Sequence, residues 1–244
     1  MRGTNHIRPY QDKPMTNNTL YNLLILFVFC VSCCRPAADF TQRERKLINE
    51  SDSLMRVLTI EDRRDLKVLR ATSRDLTPEM LLSDEFKRLS HLMLATVTHP
   101  SQDGVGIAAP QVGLNRRVVA VQRFDKEGAP FEIYPNVRLI WASDSIATGP
   151  EGCLSVPDRR EYVERSRKII IEYTDTEALE AHAGNSAEHD TGYAPEQFSR
   201  SHFQTDSLPV AKDTITGFTA VIFQHEMDHL DGILYIDRLK NSAD

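Results

Sequence analysis

The C-terminal part of the chain contains the run from Gln224 to His229, which has the pattern HExxH. Four residues of α-helix turn through about 400°, so His225 and His229 would share one helix face, spaced to bind one metal ion. Glu226, about 100° further round, would reach a metal-bound water without being a ligand. Residues 218–223 are apolar on nearly every face, which predicts a helix buried in the core.

The third metal ligand must come from upstream of this helix. In zinc proteases with the pattern HExxHxxGxxH it lies downstream, but Tyr235 occupies that position here, and no His, Glu or Cys follows His229. Cys153 is a candidate, because a thiolate binds borderline-soft metals well and the neighbouring Gly and Pro residues fix the backbone. No other cysteine follows Cys34, so it has no disulfide partner in the presumptive domain. Taken alone, Cys153 would also fit a buried structural thiol.

A glycine-rich segment, Asp103–Gly113, supplies a third element. Its small residues, including Gly104 and Gly106, allow a second backbone or a peptide to approach closely. Gln111 would place a neutral hydrogen-bond donor in that gap. By itself the segment would equally fit a tight turn.

The three segments GVGIAAPQ, EGCLS and QHEMDH, in this order, resemble the signature motifs of the peptide deformylases, which remove the N-formyl group from initiator methionine. The resemblance covers about Met55 to Arg238. It implies an α+β fold in which mixed and antiparallel sheets surround a central helix that carries the HExxH motif. It also implies Cys153, His225 and His229 as metal ligands and Glu226 as general acid/base. Gln111 and the backbone N–H of Leu154 would form the oxyanion hole.

The resemblance further implies a substrate site for N-formylated peptide or protein N-termini. Its expected residues lie on the glycine-rich segment, after the cysteine motif and on the helix: Gly104, Val105, Gly106, Arg160, Phe218, Val221 and Ile222. Helical spacing places residues 218, 222 and 225 on one stripe that leads to the metal ligands. Arg165 and Asp103 are expected to form a supporting ion pair.

The cofactor expected from the resemblance is one Fe²⁺ ion, although a Cys-His-His set also suits Zn²⁺, Ni²⁺ or Co²⁺. Two other functions remain open. One is an exported, catalytically idle member of the fold that binds a metal or peptides, against which the intact Glu226 and Gln111 argue. The other is a zinc peptidase, which the missing downstream ligand disfavours.

Composition predicts one catalytic domain. The 244 residues are 41% hydrophobic and 26% charged, which is enough for one sizeable core. The net charge of -6, without a basic patch interleaved with aromatics, argues against a nucleic-acid partner. We expect a monomer.

The first residues have a different character. An apolar run at 23–31, followed by Ser32-Cys33-Cys34, has the length of a signal-peptide core. It resembles a degenerate bacterial lipoprotein signal, with Cys33 or Cys34 as the lipidated residue, and predicts an exported, membrane-anchored protein. The alternatives are an uncleaved membrane anchor, or a cytoplasmic enzyme whose start has been assigned too far upstream. A true start at Met15 would leave almost no positive charge before the apolar run.

We therefore predict a signal segment at 1–38, a linker at 39–54 and a catalytic domain at 55–244. A long polar loop, inserted around 174–212, would carry solvated histidines. Within the domain, Ser83 or Asp84 is expected to begin a helix, and strands are expected at 118–121, 131–134 and 168–173. The elements lack a βαβ rhythm, in agreement with an α+β fold.

Overall fold

Six helices and eight strands occur in the residues that this computed structural model describes, 39–102, 104–188 and 208–239. The helices are α1 (Gln42–Glu50), α2 (Arg63–Leu69), α3 (Pro78–Leu81), α4 (Asp84–Val97), α5 (Thr176–Glu188) and α6 (Gly217–Leu230). The strands are β1 (Gly106–Ala108), β2 (Val118–Gln122), β3 (Phe131–Pro135), β4 (Arg138–Ala142), β5 (Ile146–Cys153), β6 (Val156–Ser166), β7 (Lys168–Thr174) and β8 (Val210–Thr216). Short 3-10 turns cover Ala109–Val112 and Tyr235–Arg238. Within the described ranges, no helix is both long and apolar enough to cross a membrane.

The strands form three antiparallel sheets, with the orders β1-β2-β3, β4-β7-β8 and β5-β6. The parallel pairing found among the described residues is one isolated bridge between Arg74 and Arg116. Helices and antiparallel sheets therefore make the predicted α+β fold, and antiparallel pairing alone builds its sheets.

Helix α6 lies at the centre of the fold, between two of the sheets. Its apolar residues pack against the inner side chains of β1 and β2 on one side and of β7 and β8 on the other. The contributing side chains are Ala220, Ile222, Phe223, Met227 and Leu230 from α6, with Ala108, Val119, Val121, Ile169, Ile171 and Ile215 from the strands. The predicted buried helix is confirmed, because apolar sheets cover it from both sides.

The other predicted elements are also found. Ser83 precedes α4, and its side chain accepts a hydrogen bond from the Phe86 N–H at 3.2 Å. The helix buries a stripe that repeats every three or four residues, as its sequence predicts. Strands β2, β3 and β7 agree with their predicted ranges to within one residue, and Pro135 is the last residue of β3.

The prediction of a linker at 39–54 is wrong. Residues Asp39–Asp244 form one compact unit, which begins with helix α1. Phe40 and Ile48 are buried in the core, and a capping box between Thr41 and Glu44 starts the helix. Few of its residues are apolar, so the sequence pattern gives little indication of this helix. Contacts between its buried side chains and the core stabilise it.

The polar loop predicted around 174–212 is also partly wrong. Residues Thr176–Glu188 form α5, which is joined to the core by Leu179, whose side chain is 4% exposed. The Asp175 side chain accepts a hydrogen bond from the Ala178 N–H at 3.0 Å and so assists the start of the helix. The middle of the predicted loop, with His189 and His202, lies outside the described residues.

The packing of α1 predicts where the folded unit can be shortened. A chain that begins at Asp39 should keep the stability of the domain. A chain that begins at Met55 loses two buried side chains and leaves Arg116, 4% exposed, without its 2.6 Å ion pair to Glu44. Because the loss of a large buried apolar side chain costs about 2 kcal/mol or more, urea unfolding followed by circular dichroism should show a free energy of unfolding that is lower by about 3 kcal/mol or more. Equal free energies of unfolding for the two chains would show that residues 39–54 are a linker after all.

Candidate active site

A cleft of about 720 Å³ lies between α6, the segment before and along β1, and the hairpin of β5 and β6. Its walls include every predicted catalytic and substrate-binding residue and two of the predicted metal ligands: Gly104, Val105, Gly106, Gln111, Cys153, Leu154, Arg160, Phe218, Val221, Ile222, His225 and Glu226. His229, which is 1% exposed, lies behind this surface. Three segments distant in sequence thus meet at one concave site.

Three potential metal ligands converge at this site. Cys153 ends β5, whereas His225 and His229 project from one face of α6. One ligand atom from each lies within 4.8 Å of the other two, and the Cys153 Sγ and His229 Nε2 are 3.2 Å apart. A thiolate and two imidazoles at this spacing fit one divalent metal ion of the Zn²⁺, Fe²⁺, Ni²⁺ or Co²⁺ type.

His225 is held in position by a carboxylate that the sequence reasoning did not assign a role. Its Nδ1 lies 2.8 Å from the Glu151 Oε2, which leaves Nε2 for a metal. Burial opposes the charge on His225, but hydrogen bonding to Cys153 and Glu151 raises its pKa to about 10, so a metal ion that bound this imidazole would displace a proton. Burial also opposes the charge on Glu151, but hydrogen bonds from His225 and Arg165 lower its pKa to about 2. Burial lowers the pKa of His229 well below its usual value, so this imidazole is neutral, as a metal ligand must be.

Arg165 joins this carboxylate to the rest of α6. Its guanidinium donates to Glu151 at 2.8 Å and to Asp228 at 2.6 Å, and Arg238 binds Asp228 from the other side. Asp103, its predicted partner, lies outside the described residues. A sequence signal for Glu151 did exist: in β5 it is two residues from Cys153, and side chains at that spacing share one face of a strand.

Glu226 faces the cleft without being tied down. It is 4% exposed, and its Oε2 has no hydrogen-bond partner among the described residues. Burial, with a further contribution from Glu151, raises the pKa of Glu226 to about 7. A carboxyl group of this pKa can both accept and release a proton near neutral pH.

Gly106 explains how Glu226 comes so close to β1. A Cβ at this position would lie 2.5 Å from the Glu226 Oε1 and 2.8 Å from the Ile222 Cγ2. Any side chain would therefore overlap the proposed acid/base. Gly104 is restricted in the same manner, since its Cβ would lie 2.9 Å from the Val97 Cγ2.

Gln111 is presented to the cleft in a fixed orientation. Its Oε1 accepts the Ala108 N–H at 2.8 Å, which turns the amide Nε2 towards Ser155 and Cys153, at 3.3 and 3.5 Å. Leu154 lies in the two-residue turn between β5 and β6, next to Cys153. A side-chain amide and a backbone turn therefore flank the potential metal ligands.

The substrate-facing surface combines an apolar wall and an arginine. Val221 and Ile222 line the cleft next to Val105, and Phe218 stands at its rim with 55% of its surface exposed. Arg160 pairs with Gly152 across the β5–β6 hairpin, and its side chain passes over that glycine. The cleft thus has room for an apolar side chain and a donor for a peptide backbone.

Comparison with known proteins agrees with this geometry. The sequence model of polypeptide deformylase matches residues 54–186 and 205–244. The chain belongs to the peptide deformylase family. It is 35% identical to a peptide deformylase of Leptospira biflexa over 182 residues, which are 72% of this chain and 84% of the relative, and 34% identical to one of Caulobacter sp. over 189 residues, 77% and 88%.

Solved peptide deformylases have the same fold. A class I type b enzyme from Acinetobacter baumannii with Met-Ala-Ser bound is 27% identical, with a TM-score of 0.56, over 76% of this chain and 98% of that one. The enzyme from Thermotoga maritima is 26% identical, with a TM-score of 0.57, over 78% and 100%. The predicted family and enzyme class are confirmed. None of these relatives supports the idle-protein or zinc-peptidase alternatives.

The gap in the family match, residues 187–204, lies in the segment that the sequence analysis interpreted as an insertion. It begins at the end of α5 and stops before β8. The deformylase sequence therefore resumes ahead of the strand that leads into the site helix.

The contact between Gly106 and Glu226 gives a test of the site. In Gly106→Ala the added methyl group must displace the Glu226 carboxylate, so kcat for deformylation should fall by about 10-fold or more with the metal content unchanged. Gly149→Ala is the matched control, because its Cβ would meet nothing within 4 Å. Comparable turnover of the two variants in a formate-release assay would show that the position of Glu226 is unimportant.

Proposed function

We propose that this protein hydrolyses the formyl group of N-formylmethionyl peptides or proteins, releasing formate and a free amino terminus. The observation that carries the proposal is that three potential metal ligands meet in one cleft with Glu226, whose Oε2 no described residue hydrogen-bonds. Membership of the peptide deformylase family supports the reaction class, and the Met-Ala-Ser bound to the Acinetobacter baumannii enzyme supports a methionyl peptide as product.

Cys153, His225 and His229 would hold the metal ion. We propose Fe²⁺ as the native ion, with Zn²⁺, Ni²⁺ or Co²⁺ able to occupy the same ligands. When bound, the ion supplies a Lewis acid that polarises the formyl carbonyl and lowers the pKa of water. Glu151, through its 2.8 Å bond to Nδ1, keeps the other nitrogen of His225 directed to the ion.

Glu226 is the proposed proton carrier. It takes a proton from the water that attacks the formyl carbon and gives it to the amine nitrogen as the C–N bond breaks. Its burial suits this exchange, and no described residue hydrogen-bonds its Oε2 and would have to be displaced first.

Gln111 and Leu154 are proposed to stabilise the negative charge that develops on the formyl oxygen. The Gln111 amide is fixed by the Ala108 N–H before any substrate binds, so little reorganisation is required. The backbone N–H of Leu154 would be the second donor. Gln111→Ala should therefore lower kcat and kcat/KM together, by about 10²-fold, and a rise in KM alone would reassign Gln111 to ground-state binding.

The substrate is proposed to lie along the apolar wall and the glycine-rich segment. Val105, Val221, Ile222 and Phe218 would contact the methionine side chain, while Gly104 and Gly106 leave room for the peptide backbone. Arg160 would bind a backbone carbonyl of the peptide.

Two variants separate the metal from the proton carrier. Cys153→Ala leaves two imidazoles, so bound metal and formate release should be lost together. Glu226→Gln keeps the shape of the side chain but cannot accept the proton, so metal should remain while kcat falls by about 10²-fold or more. Glu79→Gln, at an exposed position in α3, is the matched control and should retain full activity.

A formyl-Met-Ala-Ser assay under anaerobic conditions, combined with elemental analysis, measures both quantities. Full metal occupancy in Cys153→Ala would overturn the ligand set, and near wild-type turnover of Glu226→Gln would overturn the proton carrier. Cleavage of unformylated peptides in place of formate release would overturn the proposed reaction.

We also propose that the protein is a membrane-anchored lipoprotein that acts as a monomer without a nucleic-acid partner. The support for the anchor is the apolar run at 23–31 and the cysteines that follow it, which lie outside the described residues. The net charge of -6 supports the absence of a nucleic-acid partner. Mass spectrometry of protein from its native host should find an acylated N-terminus at Cys33 or Cys34 in the membrane fraction. An unacylated N-terminus in the soluble fraction would contradict the lipid anchor and favour the cytoplasmic alternative.

A further inference from the structure

Two half-exposed phenylalanines stand together at the rim of the cleft. Phe218, in the first turn of α6, is 55% exposed, and Phe124, in the loop between β2 and β3, is 45% exposed. Their ring centroids are 5.4 Å apart at an interplanar angle of 46°. Phe218 lines the cleft, whereas Phe124 lies on its outer side. Large apolar side chains that remain exposed beside a binding cleft are candidates for contact with a ligand.

The loop that carries Phe124 is rigidly anchored. The residues on either side of it, Arg123 and Asp125, form a bidentate ion pair with distances of 2.8 and 2.7 Å. Arg123 is 2% exposed, contacts the hydroxyl of Tyr134 and donates to Asp213 on β8 at 2.9 Å. Phe124 therefore lies at the start of a loop that is tied to two neighbouring strands, and its ring can hold Phe218 in place.

The position of Phe218 along α6 decides which part of the substrate it meets. It precedes His225 by seven residues, about 10 Å along the helix, and Val221 and Ile222 occupy the turn between them. A methionine side chain that enters beside the metal ligands and follows this wall directs its distal end towards Phe218. In an extended peptide the next side chain points the opposite way, so the ring meets the first residue.

We propose that Phe218, positioned by Phe124, forms an aromatic end wall that recognises the thioether sulfur of the substrate methionine. This inference rests on the deformylase function proposed above and adds the source of its side-chain selectivity. A purely aliphatic pocket hardly distinguishes methionine from norleucine, in which a methylene replaces the sulfur. Contact of a polarizable sulfur with an aromatic ring favours methionine, by a factor of about 2 to 10.

The test compares kcat/KM for formyl-Met-Ala-Ser and formyl-norleucyl-Ala-Ser. The ratio of the two values does not depend on the fraction of active enzyme, so partial misfolding of a variant does not disturb it. Wild-type protein should prefer methionine by about 2- to 10-fold. Phe218→Leu, which keeps an apolar side chain and removes the ring, should bring the ratio close to one.

Phe124→Leu should give a methionine-to-norleucine ratio between those of the wild type and Phe218→Leu, because Phe218 keeps its ring but loses the contact that positions it. The double variant should match Phe218→Leu alone, since Phe124 acts only through Phe218. Trp141→Leu is the control: this side chain on β4 is 47% exposed, similar to both phenylalanines, and is not among the residues that line the cleft. It should leave the ratio unchanged.

Calorimetric binding of the products Met-Ala-Ser and norleucyl-Ala-Ser to the same variants repeats the comparison without catalysis. Absence of formate release together with a methionine preference in binding would refute the proposed reaction but keep the end wall. A ratio that Phe218→Leu leaves unchanged would overturn the end wall while the deformylase function stands. An effect of Phe218→Leu without any effect of Phe124→Leu would remove Phe124 from the inference.

Discussion

The ion pairs around Arg165 are the interaction on which the site depends. Helix α6 places four ionisable side chains in the middle of an apolar core: His225, Glu226, Asp228 and His229. Burying such groups is costly unless each is paired. Arg165 pairs with Asp228 directly and with His225 through Glu151, so one guanidinium compensates two of the four. Arg165 pairs with neither Glu226 nor His229, and among the described residues the Glu226 Oε2 and the His229 Nδ1 have no hydrogen-bond partner. The proposed chemistry gives Glu226 a proton and makes His229 a metal ligand.

The same ion pairs hold the β5–β6 hairpin on the helix. A two-stranded sheet is marginally stable by itself, and this hairpin carries Cys153, Leu154 and Arg160 into the cleft. Because Arg165 lies on β6 and binds both Glu151 on β5 and Asp228 on α6, the hairpin and the helix keep one relative position. Loss of such a buried pair typically costs about 3–5 kcal/mol, so the hairpin that positions the thiolate depends on charges that never touch the substrate.

Sequence alone predicted those parts of the site whose residues lie close together in the chain at a characteristic spacing. His225, Glu226 and His229 share one helical motif, and Cys153 and Gln111 stand in short, distinctive segments. Arg165 could not be placed with Asp228, nor Arg123 with Asp213, because these carboxylates lie far away in sequence. The same holds for the fold: α4 has a clear apolar face and α6 is apolar on nearly every face, whereas α1 depends on packing and on the ion pair between Glu44 and Arg116.

The features that depart from the usual rules of stable packing also show what the cleft requires. Gly106 weakens a short strand, Glu226 is a buried carboxylate with an Oε2 that no described residue binds, and Phe218 and Phe124 leave large apolar surfaces in water. Each lowers the stability of the unliganded protein. All of them border the cleft or directly support a residue that does, and a substrate with an apolar side chain and a scissile amide would satisfy them together. The local departures from good packing are therefore concentrated where a bound peptide would supply the missing contacts.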